Sequence, residues 1–370
     1  MAMSIYSTIG LPRVINAAGR MTALGVSTLS DEVARAVVEG GQSYVVIDEL
    51  MDKAGEIIAA YTKAESSLVT SSASAGICMS VAGVISKGKK SIIERLPDSS
   101  GLANEILLMK GHVVQFGAPI TSLIRLGGGQ PVEVGMANDV SETDMIEAIS
   151  DKTAALLYVK SHHCIQKGML SLEKMIEIAH AHNLPLIVDA AAEEDMCKYV
   201  AMGADLVIYS GAKALEAPTS GFVTGKKQYI NYARKQYNGI ARPMKIGKEG
   251  IMGLLKAMEL YFNKDHAAEV KLNLESVAYL NEQINQIKGL TAIQVQDEAG
   301  REIYRSQVSV DESLTHKSAL TIDAELRSGN PAIHCRKHLL SMGILSFDTR
   351  PLGKGDKEII AARLKEIVEG

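Results

Sequence analysis

The sequence contains no tryptophan, only four phenylalanines and only four cysteines among its 370 residues. The cysteines are far apart along the chain and form no CxxC pair; they are Cys78, Cys164, Cys197 and Cys335. Such sparse, unpaired cysteines are typical of a reduced, cytoplasmic protein rather than of a disulfide-bonded secreted one.

The chain also lacks a strong excess of either charge, since its formal net charge is −4. This excludes a broad electrostatic attraction to nucleic acid or to an anionic membrane. No apolar run approaches the roughly 20 residues that span a bilayer. The first 19 residues have neither a basic region nor a continuous apolar region, so we expect no signal peptide. The sequence therefore predicts a soluble protein without a membrane or nucleic-acid partner.

With 46% hydrophobic residues, the chain is long enough for one large and one small domain. From about residue 65 to 225, short apolar runs alternate with amphipathic helical patterns. This alternation predicts an α/β domain whose mostly parallel sheet is covered by helices on both faces. The predicted strands are SLVTS (67–71), SIIE (91–94), HVVQF (112–116), PVEV (131–134), AALLYV (154–159), LPLIVDA (184–190) and DLVIYS (205–210).

The C-terminal part has a different pattern, which predicts a smaller α+β domain. A long helical pattern over 251–287 precedes several strand-like runs and a final helix over 356–369. The strand-like runs cover 291–296, 303–309, 332–335 and 343–347. We therefore expect an N-terminal segment (1–60), a large domain (61–260) and a small domain (261–370).

Polar groups follow three of the predicted strands. Asp189 ends one strand, Ser210 ends the next, and Lys213 follows three residues later. After the first strand, the small residues SSASAG (71–76) open a helix whose free N–H groups could bind an anion. In an open parallel sheet, ligands bind beyond the carboxyl ends of the strands. This edge therefore offers an anion site, a carboxylate and an amine.

That combination fits pyridoxal phosphate. Its phosphate suits a helix N-terminus, its aldehyde needs an amine for a Schiff base, and its ring nitrogen needs a carboxylate. Taken singly, each feature also has an ordinary explanation. An aspartate at a strand end is usually a turn or cap residue, small residues begin many helices, and most lysines lie on the surface. Their order on successive strand ends favours the cofactor site.

Several motifs resemble the selenocysteine synthase-like group of fold-type I pyridoxal-phosphate enzymes, over nearly the whole chain. They are VINAAG (14–19), SSASAG (71–76), GGGQPVEVG (127–135), LPLIVDAA (184–191), YSGAK (209–213), ARPMKIGKEG (241–250) and LRSGNPAIHCR (326–336). The segment RLPDSSGLANEILLMKGH (95–112) is similar to ammonia-lyases of that group that act on a phosphorylated amino sugar acid. The resemblance implies a homodimer, or a larger homo-oligomer built from dimers.

The resemblance also assigns roles to single residues. Lys213 is the Schiff-base lysine and Asp189 the partner of the pyridine nitrogen. Ser72, Ala73 and Ser74 hold the cofactor phosphate, with Ser210 assisting. Arg336 falls where the group has an arginine that suits a substrate carboxylate. The candidates for the substrate's distal phosphate are Arg20, Arg242, Lys245 and Lys248; the last three also fit a solvated basic loop.

For a phosphorylated amino sugar acid, the implied reaction removes water and then ammonia, with Lys213 as the base for the C2 proton. The leaving hydroxyl must be protonated, and His112, His162 and His163 are candidates for the acid, although each fits a structural role equally well. The histidines of SHHC (161–164) and HAH (180–182) are too few for a closed metal site, so we expect no metal.

Other functions stay open at this point. The same cofactor supports a different β-elimination, a β-replacement or an aldol-type cleavage of a small amino acid. A nonenzymatic protein that keeps only the fold is a further alternative. The chain is not basic and lacks the extra N-terminal domain with which selenocysteine synthase contacts its tRNA. Both features favour a small substrate.

Overall fold

The computed structural model describes residues 5–115, 117–161, 163–297 and 300–370. Its strands are β1 (Val14–Ala17), β2 (Ser66–Thr70), β3 (Glu105–Met109), β4 (Gln130–Val134), β5 (Thr153–Val159), β6 (Leu186–Asp189), β7 (Leu206–Ser210), β8 (Gly221–Gly225), β9 (Leu290–Gln296), β10 (Tyr304–Val310), β11 (Ala332–Cys335) and β12 (Ile344–Asp348).

Its α-helices are α1 (Asp31–Gln42), α2 (Ile47–Thr62), α3 (Ala73–Ser86), α4 (Lys90–Ile93), α5 (Ile120–Leu126), α6 (Glu142–Ala148), α7 (Leu172–Ala181), α8 (Lys198–Ala201), α9 (Lys227–Arg234), α10 (Lys248–Phe262), α11 (His266–Ile284), α12 (Glu312–Thr315), α13 (Ala319–Ser328) and α14 (Asp356–Glu369). Among the described residues, no helix combines the length and the apolar character that crossing a membrane requires.

The chain divides into two compact units. The larger one is Leu29–Asn263, and the smaller one joins the segment ending at Thr28 to Lys264–Gly370. The first residues therefore belong with the C-terminal part, because β1 pairs in parallel with β11. The rest of the expected N-terminal segment belongs to the large unit, where α1 packs on α10 and α2 packs on β2.

The large unit contains a seven-stranded sheet in the order β2-β8-β7-β6-β5-β3-β4. Strand β8 runs antiparallel to both of its neighbours, and the other pairs in the sheet are parallel. Helix α3 packs closely on this sheet, since a Cβ on Gly76 would lie only 3.0 Å from Ile208 and from Val223. The mostly parallel α/β sheet predicted from the unbroken apolar runs is confirmed.

Some of the predicted strands were wrong. SIIE lies in and just after the short helix α4, because so short a segment, with only two apolar residues, does not distinguish a helix from a strand. HVVQF forms no strand among its described residues, and its first residue, His112, ends a 3₁₀ helix over Lys110–His112. The strand just before it, β3, was missed because Leu and Met favour helices, whereas its position between β4 and β5 makes it a buried strand. Strand β8 was missed as well.

The small unit has a three-stranded antiparallel sheet in the order β12-β10-β9 and the two-stranded sheet β1-β11. Strands β9, β10, β11 and β12 match the four strand-like runs of the C-terminal sequence. The long helical pattern is two helices, α10 and α11, which separate where Asp265 caps the second by accepting from the N–H of Ala268 at 3.0 Å. The separation coincides with the boundary between the units.

Candidate functional site

The carboxyl ends of β5, β6 and β7 lie side by side at one edge of the large sheet. Val159 is paired with Asp189, and Asp189 is paired with Ile208. Chain segments leaving these strands therefore emerge next to one another, at the edge where parallel sheets bind ligands. The structure thus brings the predicted residues Asp189, Ser210 and Lys213 to one place.

Asp189 is nearly buried, with 8% of its surface exposed. Its Oδ1 accepts a hydrogen bond from the N–H of Ala191 at 3.0 Å, and its backbone carbonyl accepts one from the backbone N–H of Lys160 at 2.8 Å. Burial raises the pKa of the Asp189 carboxyl, while the Ala191 N–H and the positive charge of Lys213 oppose this effect. The amine of Lys213 therefore lies near enough to act on this carboxylate.

Lys213 lies in a turn that is fixed at both ends. The N–H of Gly211 donates to the carbonyl of Ser220 at 2.9 Å, and the N–H of Ala217 donates to the carbonyl of Gly211 at 3.0 Å. Gly211 leaves no space for a larger residue, because a Cβ there would collide with the Ser220 side chain and would lie 2.8 Å from Leu254. The half-buried Lys213 side chain is therefore held on a rigid turn beyond β7.

The N-terminus of α3 lies where the sequence predicts an anion site. Ser72 caps the helix, since its Oγ accepts from the N–H of Ala75 at 3.1 Å. Within the described part of the chain, the N–H groups of Ala73 and Ser74 have no hydrogen-bond partner. Unpaired N–H groups at the start of a helix of this length attract an anion such as a phosphate.

Gly221 connects this helix start to the lysine turn, and sequence reasoning missed it. A Cβ at this position would lie 2.5 Å from the carbonyl carbon of Ser72 and 2.6 Å from the nitrogen of Ala73. Gly221 is also the strand partner of Ser210. Ser210 is thereby placed beside the helix N-terminus, and the signal for this contact was a glycine opening a strand-like run, GFVTG.

These groups fit pyridoxal phosphate. The α3 N-terminus suits its phosphate, the buried Asp189 carboxylate suits a protonated ring nitrogen, and Lys213 lies on the adjacent strand end. A buried carboxylate without an ion-pair partner among the described residues is costly unless a cationic group faces it.

His112 is completely buried, and its side chain contacts protein groups. Its Nδ1 accepts from the N–H of Val159 at 3.3 Å, and its ring packs edge-on against Tyr158 with centroids 4.6 Å apart. Burial, together with the charge of Lys160, lowers its pKa to about 4, so the ring is neutral near pH 7. The bonded Nδ1 implies that Nε2 carries the proton. This placement favours a structural role, and a role as the acid stays a prediction.

The other candidate histidines follow β5. His163 is exposed, and its N–H donates to the Oγ of Ser161 at 3.3 Å. His162 lies outside the described residues. Among the residues that the structure does describe, no group of three His, Cys, Asp or Glu side chains is arranged to hold a metal ion.

The predicted basic residues after α9 line a cavity of about 1000 Å³ within the large unit. Arg242 and Lys245 are exposed. Lys248 differs from them, because its Nζ donates to the carbonyls of Gly40 at 2.8 Å and Gly41 at 2.5 Å, near the end of α1. Lys248 thus stabilises the end of that helix, whereas Arg242 and Lys245 are available to an anion.

Arg20 and Arg336 belong to the small unit. The pairing of Ala17 with Cys335 places both arginines just beyond the same end of the β1-β11 sheet. The turn that leads to Arg20 is fixed, since the side-chain amide of Asn16 donates to the carbonyl of Gly19 at 2.9 Å. Gly19 has a φ of 87°, and a Cβ there would lie 2.8 Å from the carboxylate of Asp348. Only glycine fits this turn without strain.

Comparison with protein families gives one match that covers most of the chain. Residues 14–321 match the model of the family described as L-seryl-tRNA selenium transferase (SelA). The match begins at β1 and ends in α13, so it includes the turn with Lys213 and the N-terminus of α3.

Comparison with individual proteins gives relatives over the full length. The chain is 50% identical to D-glucosaminate-6-phosphate ammonia lyase of Salmonella typhimurium, over 100% of this chain and 99% of that protein. It is 39% identical to 5'-C-glycyluridine monooxygenase-decarboxylase of a Streptomyces species, over 98% of this chain and 92% of that protein.

Solved structures agree with these sequence comparisons. A structure of D-glucosaminate-6-phosphate ammonia-lyase superimposes with a TM-score of 0.94 at 49% identity, over 100% of this chain and 99% of that one. An aspartate aminotransferase from Thermotoga maritima superimposes with a TM-score of 0.54 at 14% identity, over 99% and 94% of the two chains, and shows the fold alone. The fold is that of the fold-type I pyridoxal-phosphate enzymes, as the sequence predicted.

Proposed function

The chain belongs to the L-seryl-tRNA selenium transferase family, and we propose that within this family it is a pyridoxal-phosphate-dependent ammonia lyase. Its substrate is D-glucosaminate 6-phosphate, which loses water across C2 and C3. The resulting enamine tautomerises to an imine, and a water molecule then hydrolyses the imine to ammonia and 2-keto-3-deoxygluconate 6-phosphate. The observation that carries this proposal is the 50% identity, over the whole chain, with a protein named D-glucosaminate-6-phosphate ammonia lyase. The placement of Asp189 and Lys213 on adjacent strand ends supports it.

The residues of the large unit hold the cofactor. The N–H groups of Ala73 and Ser74 bind its phosphate, with Ser72 and Ser210 contributing hydroxyls. Lys213 would hold its aldehyde carbon, and Asp189 would pair with its ring nitrogen. When bound, pyridoxal phosphate supplies a protonated ring that accepts electrons from the carbon bearing the substrate amine.

Side chains of the protein carry out two proton transfers in this reaction. Lys213, once its amine no longer holds the cofactor, would take the proton from C2. The hydroxyl at C3 leaves as water, so it needs a proton from an acid. His163 is exposed beyond β5 and reaches solvent, which makes it the better candidate. His112 accepts from the N–H of Val159 and packs edge-on against Tyr158, which favours a structural role.

Basic residues recognise the two anionic ends of the substrate. Arg336 binds the carboxylate, because a guanidinium matches the two oxygens of that group. Arg242 and Lys245 of the large unit bind the distal phosphate, and Arg20 of the small unit is a separate candidate for that role. Lys248 contributes less, since its amine is committed to the carbonyls at the end of α1.

A second function deserves a test because the Streptomyces relative at 39% identity is named for a different reaction. The alternative is another β-elimination, a β-replacement or an aldol-type cleavage of a small amino acid. These reactions share the same amine chemistry at Lys213, so the site residues described above do not separate them. The products do separate them.

The assay therefore measures both products. Purified protein with pyridoxal phosphate is incubated with D-glucosaminate 6-phosphate, and ammonia and 2-oxo acid are quantified. Equal amounts of the two products support the proposal. An absence of both, with intact cofactor binding, contradicts it and favours the alternative.

We also propose that the protein is cytoplasmic and is a homodimer or a larger assembly of dimers. Exposed apolar side chains at Tyr44 and Val46, 104% and 59% exposed, support a surface that a second copy covers. Light scattering coupled to gel filtration gives the mass in solution. A monomer at micromolar concentration would contradict this part of the proposal.

A further inference from the structure

A row of polar side chains crosses one face of the small unit's sheet. Arg336 and Ser346 face each other in an antiparallel bridge, in which the N–H of Arg336 donates to the carbonyl of Ser346 at 2.9 Å. On its other side, Ser346 is paired with Gln307 of β10. Residues directly opposite each other in antiparallel strands have their side chains on the same face. Arg336, Ser346 and Gln307 therefore form one row, with Ser346 in the middle.

Two neighbouring atoms of this row lack a hydrogen-bond partner. The Nε of Arg336 and the Oγ of Ser346 are both buried, and neither is paired with any described residue. Ser346 has only 1% of its surface exposed. Buried polar groups are almost always hydrogen-bonded, because an unpaired one loses its interaction with water. Two adjacent unpaired donors on one face indicate a ligand that carries two acceptors.

The charges around the row favour an anionic ligand. The carboxylate of Asp348 accepts from Arg305 at 3.3 Å and from Arg350 at 2.7 Å. The carboxylate of Asp348 is thus already paired with two other arginines. Among the described residues, the Arg336 side chain forms no ion pair. Burial and the charge of Arg305 lower the pKa of Arg336, and the charges of Asp348 and Asp297 oppose this only in part, so compensation of its positive charge is incomplete. An anion beside Arg336 would supply it.

We propose that Ser346 binds the substrate carboxylate together with Arg336, its Oγ–H and the guanidinium each donating to a carboxylate oxygen. The inference rests on the proposed function in one respect, namely that the ligand is the carboxylate of D-glucosaminate 6-phosphate. Ser346 then selects for a planar anion with two oxygens in preference to a neutral group at C1. Its role is in binding, since it takes no part in proton transfer.

Ser306 provides a matched control in the same sheet. Its Oγ is also buried and unpaired, and none of its surface is exposed. It lies on the opposite face of the sheet, because its strand partner is Phe347, a residue of the small unit's apolar core. A buried hydroxyl is removed in both Ser346→Ala and Ser306→Ala, but only Ser346 is adjacent to Arg336.

The experiment measures binding to the holoenzyme by rapid mixing, from the change in cofactor absorbance before turnover, using two ligands. One is D-glucosaminate 6-phosphate, and the other is 2-amino-2-deoxy-D-glucitol 6-phosphate, which has a hydroxymethyl group in place of the carboxylate. We expect Ser346→Ala to weaken binding of the acid by roughly 10-fold or more, the scale of a hydrogen bond to a charged group. Binding of the alcohol should be unchanged, Ser306→Ala should affect neither ligand, and Ser346→Thr should restore the acid's affinity.

Equal effects of Ser346→Ala and Ser306→Ala on the acid would overturn the proposal, as would an equal loss for acid and alcohol. Because binding is measured apart from turnover, the proposed function and the proposed role of Ser346 can be contradicted by different results. Ser346-dependent binding without ammonia release contradicts the proposed function alone. Turnover with unchanged affinity in Ser346→Ala contradicts the role of Ser346 alone, and a wild-type protein that does not bind the acid contradicts both.

Discussion

The charge of Lys213 acts on the buried carboxylate of Asp189, although the two residues are separated by 24 positions in the sequence. They meet because β6 and β7 are adjacent parallel strands whose carboxyl ends lie at one edge. One residue supplies the amine and the other the carboxylate that a pyridoxal-phosphate site requires. The predictions below follow from this relationship and from its surroundings.

Replacing Lys213 with alanine should abolish the ammonia lyase activity. The variant loses both the amine that holds the cofactor and the base at C2, so we expect a decrease in kcat of roughly 10³-fold or more. It should also lack the absorbance at about 420 nm that a Schiff base of pyridoxal phosphate gives. Lys160→Ala, a lysine beyond the neighbouring strand, is the control and should keep the absorbance.

Replacing Asp189 with asparagine should preserve the shape of the site but remove its negative charge. The ring nitrogen then loses the group that keeps it protonated, and we expect kcat to fall by roughly 10²-fold or more. Steady-state kinetics measure the effect, and circular dichroism checks the fold. A variant with wild-type kcat would show that this carboxylate does not serve the cofactor.

Gly221→Ala should weaken cofactor binding, because the new Cβ would lie 2.5 Å from the Ser72 backbone and displace the start of α3. We expect the dissociation constant of pyridoxal phosphate to rise by about 10-fold, equivalent to ~1.4 kcal/mol. The control is Gly41→Ala, where the nearest atom to the new Cβ is 3.8 Å away. Fluorescence titration of the apoprotein measures both variants, and equal affinities would refute the predicted contact.

Among the basic residues after α9, Arg242 and Lys245 should affect substrate binding, whereas Lys248 should affect stability. Arg242→Ala and Lys245→Ala should raise KM for D-glucosaminate 6-phosphate and leave KM for unphosphorylated D-glucosaminate unchanged. Lys248→Ala should instead lower the thermal stability, because the carbonyls of Gly40 and Gly41 lose their donor. If Lys248→Ala changed only KM for the phosphorylated substrate, the proposed role of Lys248 in stabilising the end of α1 would be wrong.

His112 should make the stability of the protein depend on pH. Its pKa is lowered from 6.5 to about 4, so the folded protein binds its proton less readily than the unfolded chain does. The stabilisation is complete above pH 6.5 and is lost as the pH falls from 6.5 towards 4, by about 3 kcal/mol. Denaturant unfolding of His112→Asn should lack this part of the pH dependence. Equal slopes in wild type and variant would contradict the neutral buried ring.

The sequence predicted the parallel sheet and the position of Asp189 and Lys213, because buried parallel strands are unbroken apolar runs and polar residues directly follow them. It missed β3 and β8, since their residues also suit helices or turns and only the neighbouring strands determine their conformation. The sequence did not predict Gly221 or Ser346 as site residues. Their importance depends on contacts with Ser72 and Arg336, residues distant along the chain.

The most direct test of the whole account is to reduce the purified holoenzyme with borohydride and locate the cofactor by peptide mass spectrometry. Borohydride fixes a Schiff base as a stable secondary amine, so the modified lysine is identified without any assumption about the substrate. The account predicts one pyridoxyl phosphate per chain, on Lys213. Modification of another lysine, or a chain that carries no cofactor after incubation with pyridoxal phosphate, would contradict it.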